Sequence, residues 1–268
     1  MRSNITVILT LYKTPLDKIK KLIQYKEYKT IFFDQNTNGA NKKKLKKILN
    51  FKFKYYYSLK NIGLSKSSNY LLSKVKTKYC LFTQPDISID KSSIEKLEKA
   101  INKNKDIIFA APKYISKKNK INSLSKNSQI KIVKNLNMAC MLCDVKKLKK
   151  IGFFDDDFFL YWEDIFLLKK INQTNYKMVN VSNAFAIHES SKSSEDNYKT
   201  RYIRDMNYMY GELLYDYKLG KLRLIKLYRK LIQNLILFFF NITIFQLKEV
   251  LKNIAKINGV LKFIKFYL

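Results

Sequence analysis

The chain has 268 residues, 47% of them hydrophobic, enough to bury a full core and to exclude a disordered tract. Six glycines and three prolines are too few for a collagen-like repeat, a sandwich of many tight turns or a long flexible linker. The net charge of +32 rests on 53 basic residues, of which only Arg2, Arg201, Arg204, Arg223 and Arg229 are arginine. Readers of nucleic acid concentrate arginine, because its planar fork meets base edges and phosphates. A lysine excess accompanied by Asn, Ile, Tyr and Phe instead reflects A/T-biased coding, with attraction to anionic membranes as its main functional addition, and no nucleic-acid partner is expected.

Residues 5–11 are short, β-branched and almost wholly apolar, as in a strand buried on both faces of a parallel sheet. Thr14-Pro15 starts a helix that carries Leu16, Ile19, Leu22 and Ile23 at helical spacing. A second strand at 30–34 ends in Asp34 and the turn-prone run 35–39. A lysine-rich helix follows, then a strand around 54–57, the loop Asn61-Ile62-Gly63, a helix at 64–75 and a strand at 78–83. Strands alternating with helices predict an α/β fold, with a mainly parallel sheet flanked by helices on both faces. Ligands of such sheets bind beyond the carboxyl ends of the strands, where Asp34 and Asp86 fall. The second half reads as helix at 92–104, strand at 107–111, polar loop at 116–128, strand at 137–143 and helix at 145–150. An aromatic-acidic block at 152–164 leads into a helix to about 172, and a strand at 177–181 leads to His188.

Cys80, Cys140 and Cys143 offer no disulfide framework, and the Cys140/Cys143 pair lies in an apolar run with no second pair to complete a zinc site. They read as buried thiols suited to a reducing cytoplasm. The start, Met1 to Asn4, runs directly into a strand without a signal-peptide core, so a cytoplasmic protein is expected.

Three features carry chemistry. Asp86, in the proline-stiffened turn Gln84-Pro85-Asp86-Ile87-Ser88, suits a divalent cation on a diphosphate, although a turn or capping aspartate reads the same way. The block from Gly152 to Asp164 packs Asp155, Asp156, Asp157, Glu163 and Asp164 among aromatics. That arrangement costs solvation free energy unless a cation or a reaction uses the charge, and it raises carboxyl proton affinity towards that of a useful base. Neutralisation by neighbouring lysines is the structural alternative. His188, the only histidine, follows a strand and precedes the polar run 189–194, as a metal ligand or diphosphate donor would.

Four segments in order resemble the family 2 glycosyltransferases, in particular their bacterial rhamnosyltransferase-like branch, over roughly residues 4–195. These are Asn61-Ile62-Gly63-Leu64-Ser65 with Asn69, Gln84-Pro85-Asp86, the block Gly152–Asp164, and His188 with Ser193. The resemblance implies a GT-A Rossmann-like domain and a metal-dependent, inverting hexosyltransferase of surface polysaccharide synthesis. It assigns Tyr12, Asp34, Asn61 and Gly63 to the nucleotide, and Asp86 and His188 to a divalent cation, Mn²⁺ or Mg²⁺. It further assigns Asp164 to the general base and Trp162 and Glu163 to the acceptor sugar; the adjacent Glu163 is the alternative catalytic carboxyl. The donor implied is a nucleoside-diphosphate sugar, with dTDP-rhamnose suggested by the branch, and the acceptor a glycan or lipid-linked hydroxyl. Two departures stand out: Phe166 where the branch has an acid, and Gln84 and Ser88 beside a single carboxylate, Asp86.

From 197 onward the chain turns to Tyr, Lys, Arg and Leu, and 231–245 is apolar between basic flanks at 221–230 and 248–265. About 20 apolar residues are needed to span a bilayer, so this run reads as an in-plane or packed helix. The expected organisation is therefore a glycosyltransferase domain at 1–195 and a helical basic extension at 196–268. The enzyme is expected in the cytoplasm, with peripheral attachment at the inner face of the cell membrane. The rival readings are a catalytically inactive glycosyltransferase-like scaffold and, more remotely, a basic nucleic-acid-binding protein.

Overall fold

A computed structural model describes residues 4–35, 37–39, 41–115, 129–189 and 193–268. The polar loop expected at 116–128, and Ser190, Ser191 and Lys192 after His188, lie outside the described residues. The chain divides into two units. The first comprises residues 1–62, 66–154 and 167–195; the second comprises 63–65, 155–166 and 196–268.

Among the described residues, the first unit is built on a nine-stranded sheet. In chain order the elements up to His188 are β1 (Ile5–Tyr12), α1 (Leu16–Lys21) with a 3-10 turn at Leu22–Tyr25, β2 (Lys29–Gln35), α2 (Asn41–Leu49), β3 (Lys54–Ser58), α3 (Leu64–Lys74), β4 (Tyr79–Thr83), β5 (Ile87–Ile89), α4 (Lys91–Asn102), β6 (Ile107–Ile115), β7 (Ile130–Val133), β8 (Cys140–Asp144), α5 (Val145–Ile151), α6 (Glu163–Ile171) and β9 (Lys177–His188), with the first residues of α3 (64–65) and of α6 (163–166) falling in the second unit. The order across the sheet is β3-β2-β1-β4-β8-β6-β9-β5, with β7 also paired to β9. Strands β3, β2, β1 and β4 are parallel. Beyond them β8 runs antiparallel to both β4 and β6, and β9 is parallel to β6.

Alternation along β1 explains why both faces are covered. Val7, Leu9 and Leu11 join one buried apolar cluster, with Leu22, Leu45, Leu97 and Val179. Ile8 joins the other, with Leu71, Phe109, Met141 and Leu168. A strand with apolar side chains on both faces is stable only between two layers, and burial of each such side chain contributes roughly 1.5–3 kcal/mol. Cys80, Cys140 and Cys143 are free and fully buried, with Cys80 opposite Cys143 across β4 and β8.

Local signals set several boundaries. The Asp90 side chain accepts from the Ser93 N–H at 2.7 Å and starts α4, and Asp144 caps α5 through the Lys147 N–H at 3.1 Å. Strand β8 begins later than the apolar run suggests, because the Asn137 side chain accepts from the Ala139 N–H and holds 137–139 in a turn. The short strands β5 and β7 are not apparent in the hydrophobic pattern. Both pair antiparallel with β9, which runs well beyond 181. A bulge at 182–184 separates its pairing with β7, at Met178–Val181, from its pairing with β5, at Ala186–His188.

The second unit contains the helices α7 (Tyr198–Lys218), α8 (Leu224–Thr243) and α9 (Leu247–Tyr267). A reciprocal capping box between Asn197 and Thr200 starts α7. Phe158, Met209, Leu213, Leu214, Leu227, Val260 and Phe263 form its core. Gly259 lets α9 approach α7, since a Cβ there would stand 2.4 Å from the Met206 carbonyl oxygen. No helix of the described residues is long and apolar enough to cross a membrane.

Candidate active site

Strand direction gathers the candidates of the first unit. β1 to β4 are parallel, β8 reverses, and β6 and β9 again run with β4. The carboxyl ends of β1, β2, β3, β4 and β9 therefore share one edge of the sheet. Tyr12 ends β1 opposite Gln35, Asp34 stands at the end of β2, Asn61 follows β3, Asp86 follows β4, and His188 ends β9.

Asp34 is 4% exposed, and its Oδ2 accepts from the Tyr55 hydroxyl at 2.7 Å and from the Asn41 amide at 3.0 Å. Burial pushes its carboxyl above the usual aspartate range, and the two hydrogen bonds offset part of that rise. The neighbouring Gln35 accepts from the Ile62 N–H at 2.8 Å, tying the loop that carries Asn61 to the end of β2. Asn69 acts further along. Its amide donates to the Phe154 carbonyl at 2.8 Å and accepts from the Phe154 N–H at 3.0 Å, clamping the start of the aromatic-acidic block.

Asp86 is 1% exposed, with Oδ2 3.6 Å from His188 Nε2. Strand β5 creates this pair by setting Ile87 opposite His188, and the Glu189 N–H donates to the Asp86 carbonyl at 3.1 Å. Two supports were not identified from sequence. Gln24 braces β5 by donating to the Ile87 carbonyl and accepting from the Ile89 N–H, both at 3.0 Å. The Glu189 carboxylate is paired with Lys18 and Lys21 of α1. A lone amide in the apolar turn Leu22–Tyr25 was the one available sign of the first; nothing in the lysine-rich sequence distinguished Lys18.

Among the described residues no group of three or more His, Cys, Asp or Glu side chains could enclose a metal ion. The protein offers one carboxylate and one imidazole. That set fits a cation whose remaining positions are filled by diphosphate oxygens and water, the usual arrangement where a nucleotide brings its own ligands.

Gly63, Trp162, Glu163 and Asp164 belong to the second unit. Gly63 has φ 88°, and a Cβ there would stand 2.5 Å from the Phe159 carbonyl oxygen, which accepts from the Leu64 N–H at 2.6 Å. Tyr161 and Trp162, immediately before α6, are both left-handed at φ 66° and 70°, a conformation costly for bulky side chains. Ring packing on α7 holds them there. Trp162 lies 5.6 Å from Tyr208 and 5.4 Å from Tyr215, and Tyr161 lies 5.8 Å from Tyr208. Gly211 makes room, since a Cβ would meet Trp162 Cδ1 at 2.8 Å and the Tyr161 oxygen at 3.1 Å.

This turn delivers two unlike carboxyls to the first turn of α6. Glu163 is 5% exposed, and among the described residues its Oε2 has no hydrogen-bond partner, as is also true of the buried Trp162 Nε1. Burial, and then the charge of Asp164, push the Glu163 carboxyl up to about 8, so it is mostly a neutral acid at pH 7. Asp164 is half-buried and its Oδ1 accepts from the Ile165 N–H at 2.8 Å. Burial raises its proton affinity too, while backbone hydrogen bonds oppose the rise. Adjacent carboxyls in unlike environments are how one site keeps an acid and a base together. The other acids of the block differ: Asp155 and Asp157 are ion-paired with Lys218 at 2.9 and 2.6 Å, the lysine neutralisation left open by the sequence. Phe166 packs against Phe158 and Tyr215, so that departure from the acidic pattern contributes to the core of its unit.

The α/β architecture is that of the GT-A fold, and solved structures share it. GalNAc-T7 with UDP, GalNAc and Mn²⁺ superposes with a TM-score of 0.57 at 11% identity, covering 78% of this chain and 47% of its own. The mannosyltransferase PcManGT from Pyrobaculum calidifontis, in complex with GDP-Man and Mn²⁺, gives 0.59 at 12% identity, covering 83% and 66%. Residues 1–349 of S. aureus TarS give 0.57 at 13% identity, covering 98% and 93%. The chain thus spans about half the length of the first of these and less than two thirds of that of the second. A comparison with curated protein sequences finds no match. The profile of glycosyl transferase family 2 matches residues 10–168, and the chain belongs to that family.

Proposed function

We propose that the protein transfers a sugar from a nucleoside-diphosphate sugar to a hydroxyl of a glycan or lipid-linked acceptor, with inversion, in surface polysaccharide synthesis. The observation that carries this reading is the gathering of Tyr12, Asp34, Asn61, Asp86 and His188 on one carboxyl edge of the sheet. Tyr12, Asp34, Asn61 and Gly63 take the nucleoside, with Asp34 fixed by Tyr55 and Asn41 in position to accept from a base or ribose. Asp86 and His188 would hold a divalent cation, which when bound offsets charge on the departing diphosphate.

Asp164 removes the proton of the acceptor hydroxyl while that oxygen attacks the anomeric carbon from the face opposite the leaving group. The C–O bond to the diphosphate breaks as the new glycosidic bond forms, and a single displacement inverts the centre through an oxocarbenium-like state. Glu163, neutral at pH 7, donates a hydrogen bond to the acceptor instead of competing for its proton. Trp162 supplies an aromatic wall and an indole N–H for the acceptor sugar. Residues 1–195 then act as the transferase domain, and the basic extension, 196–268, draws the enzyme to anionic headgroups on the cytoplasmic face of a membrane. The rhamnosyltransferase-like resemblance favours dTDP-rhamnose as donor.

Thermal shift with nucleoside diphosphates, with and without Mn²⁺, tests the donor site. Stabilisation that needs Mn²⁺, is lost in Asp86→Ala and is reduced in His188→Ala supports the reading; equal stabilisation in EDTA removes the metal from it. Hydrolysis of a panel of nucleotide sugars then identifies the donor. Nucleotide binding without turnover of any sugar would favour the inactive scaffold.

A further inference from the structure

Helix α8 is turned inside out relative to water. Its protein-facing side carries Leu227, Asn234 and Asn241, all buried, and the Asn234 amide donates to the Lys230 carbonyl at 2.7 Å. Its solvent side carries Ile225, Ile232, Ile236, Phe239 and Phe240, between 55% and 75% exposed, and the patch continues into Phe245 at 87%. A helix that buries asparagines and exposes phenylalanines is patterned for an apolar medium on its outer side. An exposed apolar face of this kind marks an interaction surface.

The surrounding charge identifies the occupant. Helix α8 contains no acidic residue, and residues 219–268 hold ten Lys or Arg against one acid, Glu249. Arg223 and Arg229 near the start of α8 and Lys248 after its end are exposed, bracketing the apolar face with positive charge. Two copies meeting through this face would bring these cations together with little acid to offset them. Anionic headgroups over an acyl layer complement both parts. We infer that the outer face of α8, from Ile225 to Phe245, inserts in the plane of an anionic membrane, seating its phenylalanines at the boundary between headgroups and acyl chains. This deepens the membrane attraction proposed above, adding apolar insertion to charge, and it does not depend on the transfer chemistry.

Flotation of the full chain with phosphatidylglycerol vesicles and with phosphatidylcholine vesicles, at low and high salt, tests it. Wild type should bind the anionic vesicles and keep part of that binding at high salt. Phe239→Glu with Phe240→Glu, both at exposed positions, should weaken binding about tenfold or more at either salt, because two charges enter the apolar layer. Phe245→Trp should be quenched by lipids brominated on their acyl chains. Nucleoside-diphosphate binding, followed in the same variants, should stay at the wild-type level, which separates this inference from the donor-site reading. Binding abolished by salt and indifferent to the double substitution would mean attraction by charge alone and overturn the insertion. So would a dimer in sedimentation that the double substitution dissolves while vesicles remain unbound.

Discussion

The two groups of buried carboxyls contrast in how they are supported. In the first unit Asp34 is surrounded by donors: a tyrosine hydroxyl and an amide satisfy the same oxygen, and the strand beneath it is paired on both sides. In the second unit Glu163 is as deeply buried, yet its Oε2 has no partner among the described residues, and two left-handed aromatic residues lead into it. Hydrogen bonding from Tyr55 and Asn41 offsets part of the rise in proton affinity that burial gives the first carboxyl. The second is tolerated because it keeps its proton. A satisfied network suits a group that recognises a ligand without changing state, whereas unmet polar atoms and strain suit groups that meet their partner only when substrate arrives.

The sharpest test of that contrast is Asp164→Asn. The amide keeps the shape but cannot take the acceptor proton, so transfer should fall about 10³-fold with nucleoside-diphosphate affinity unchanged. Near wild-type transfer would move the base to Glu163. A smaller but still large effect is expected from Gly211→Ala. The added methyl meets the Trp162 ring and the Tyr161 oxygen, so denaturant unfolding should show a loss of about 1–3 kcal/mol, and the acceptor KM should rise. An unchanged KM would mean that the strained turn serves packing alone.

Tyr55→Phe isolates the first unit. It removes one of the two bonds to Asp34, which should cost about 1–3 kcal/mol in denaturant unfolding and weaken nucleotide binding. The subtlest prediction concerns pH. Glu163 has its folded proton affinity raised from an ordinary 4.5 to about 8. The folded state therefore holds a proton that the unfolded chain has released, and the stability tied to it is full below 4.5 and is lost as pH rises through about 8. Melting temperatures of wild type should fall across that window relative to Glu163→Gln, which cannot ionise. Parallel curves would show that Glu163 is ionised and partnered.

Much of the first unit was legible in the amino-acid order, because its signals are local. An apolar β-branched run such as 5–11 has no stable option other than a doubly covered strand, and Asp34 and Asp86 follow directly from where such runs stop. The block ending in Glu163 and Asp164 also declared itself by placing acids among aromatics. Pairings between distant segments were not legible. Strand β5 is three residues long and exists because β9 and Gln24 hold it, and only that pairing brings Asp86 to His188. The left-handed turn at Tyr161 and Trp162 depends on Gly211, some fifty residues later. The outward side of α8 was equally hidden, since composition marks 231–245 as apolar without saying which residues face the protein. Sequence by itself thus determined the strand–helix alternation and the residue types at the strand ends, through hydrophobic period and turn chemistry. Tertiary structure decided which carboxyl is hydrogen-bonded, which keeps its proton and which apolar face is left uncovered, because those outcomes depend on desolvation and contact between parts of the chain that no local pattern relates.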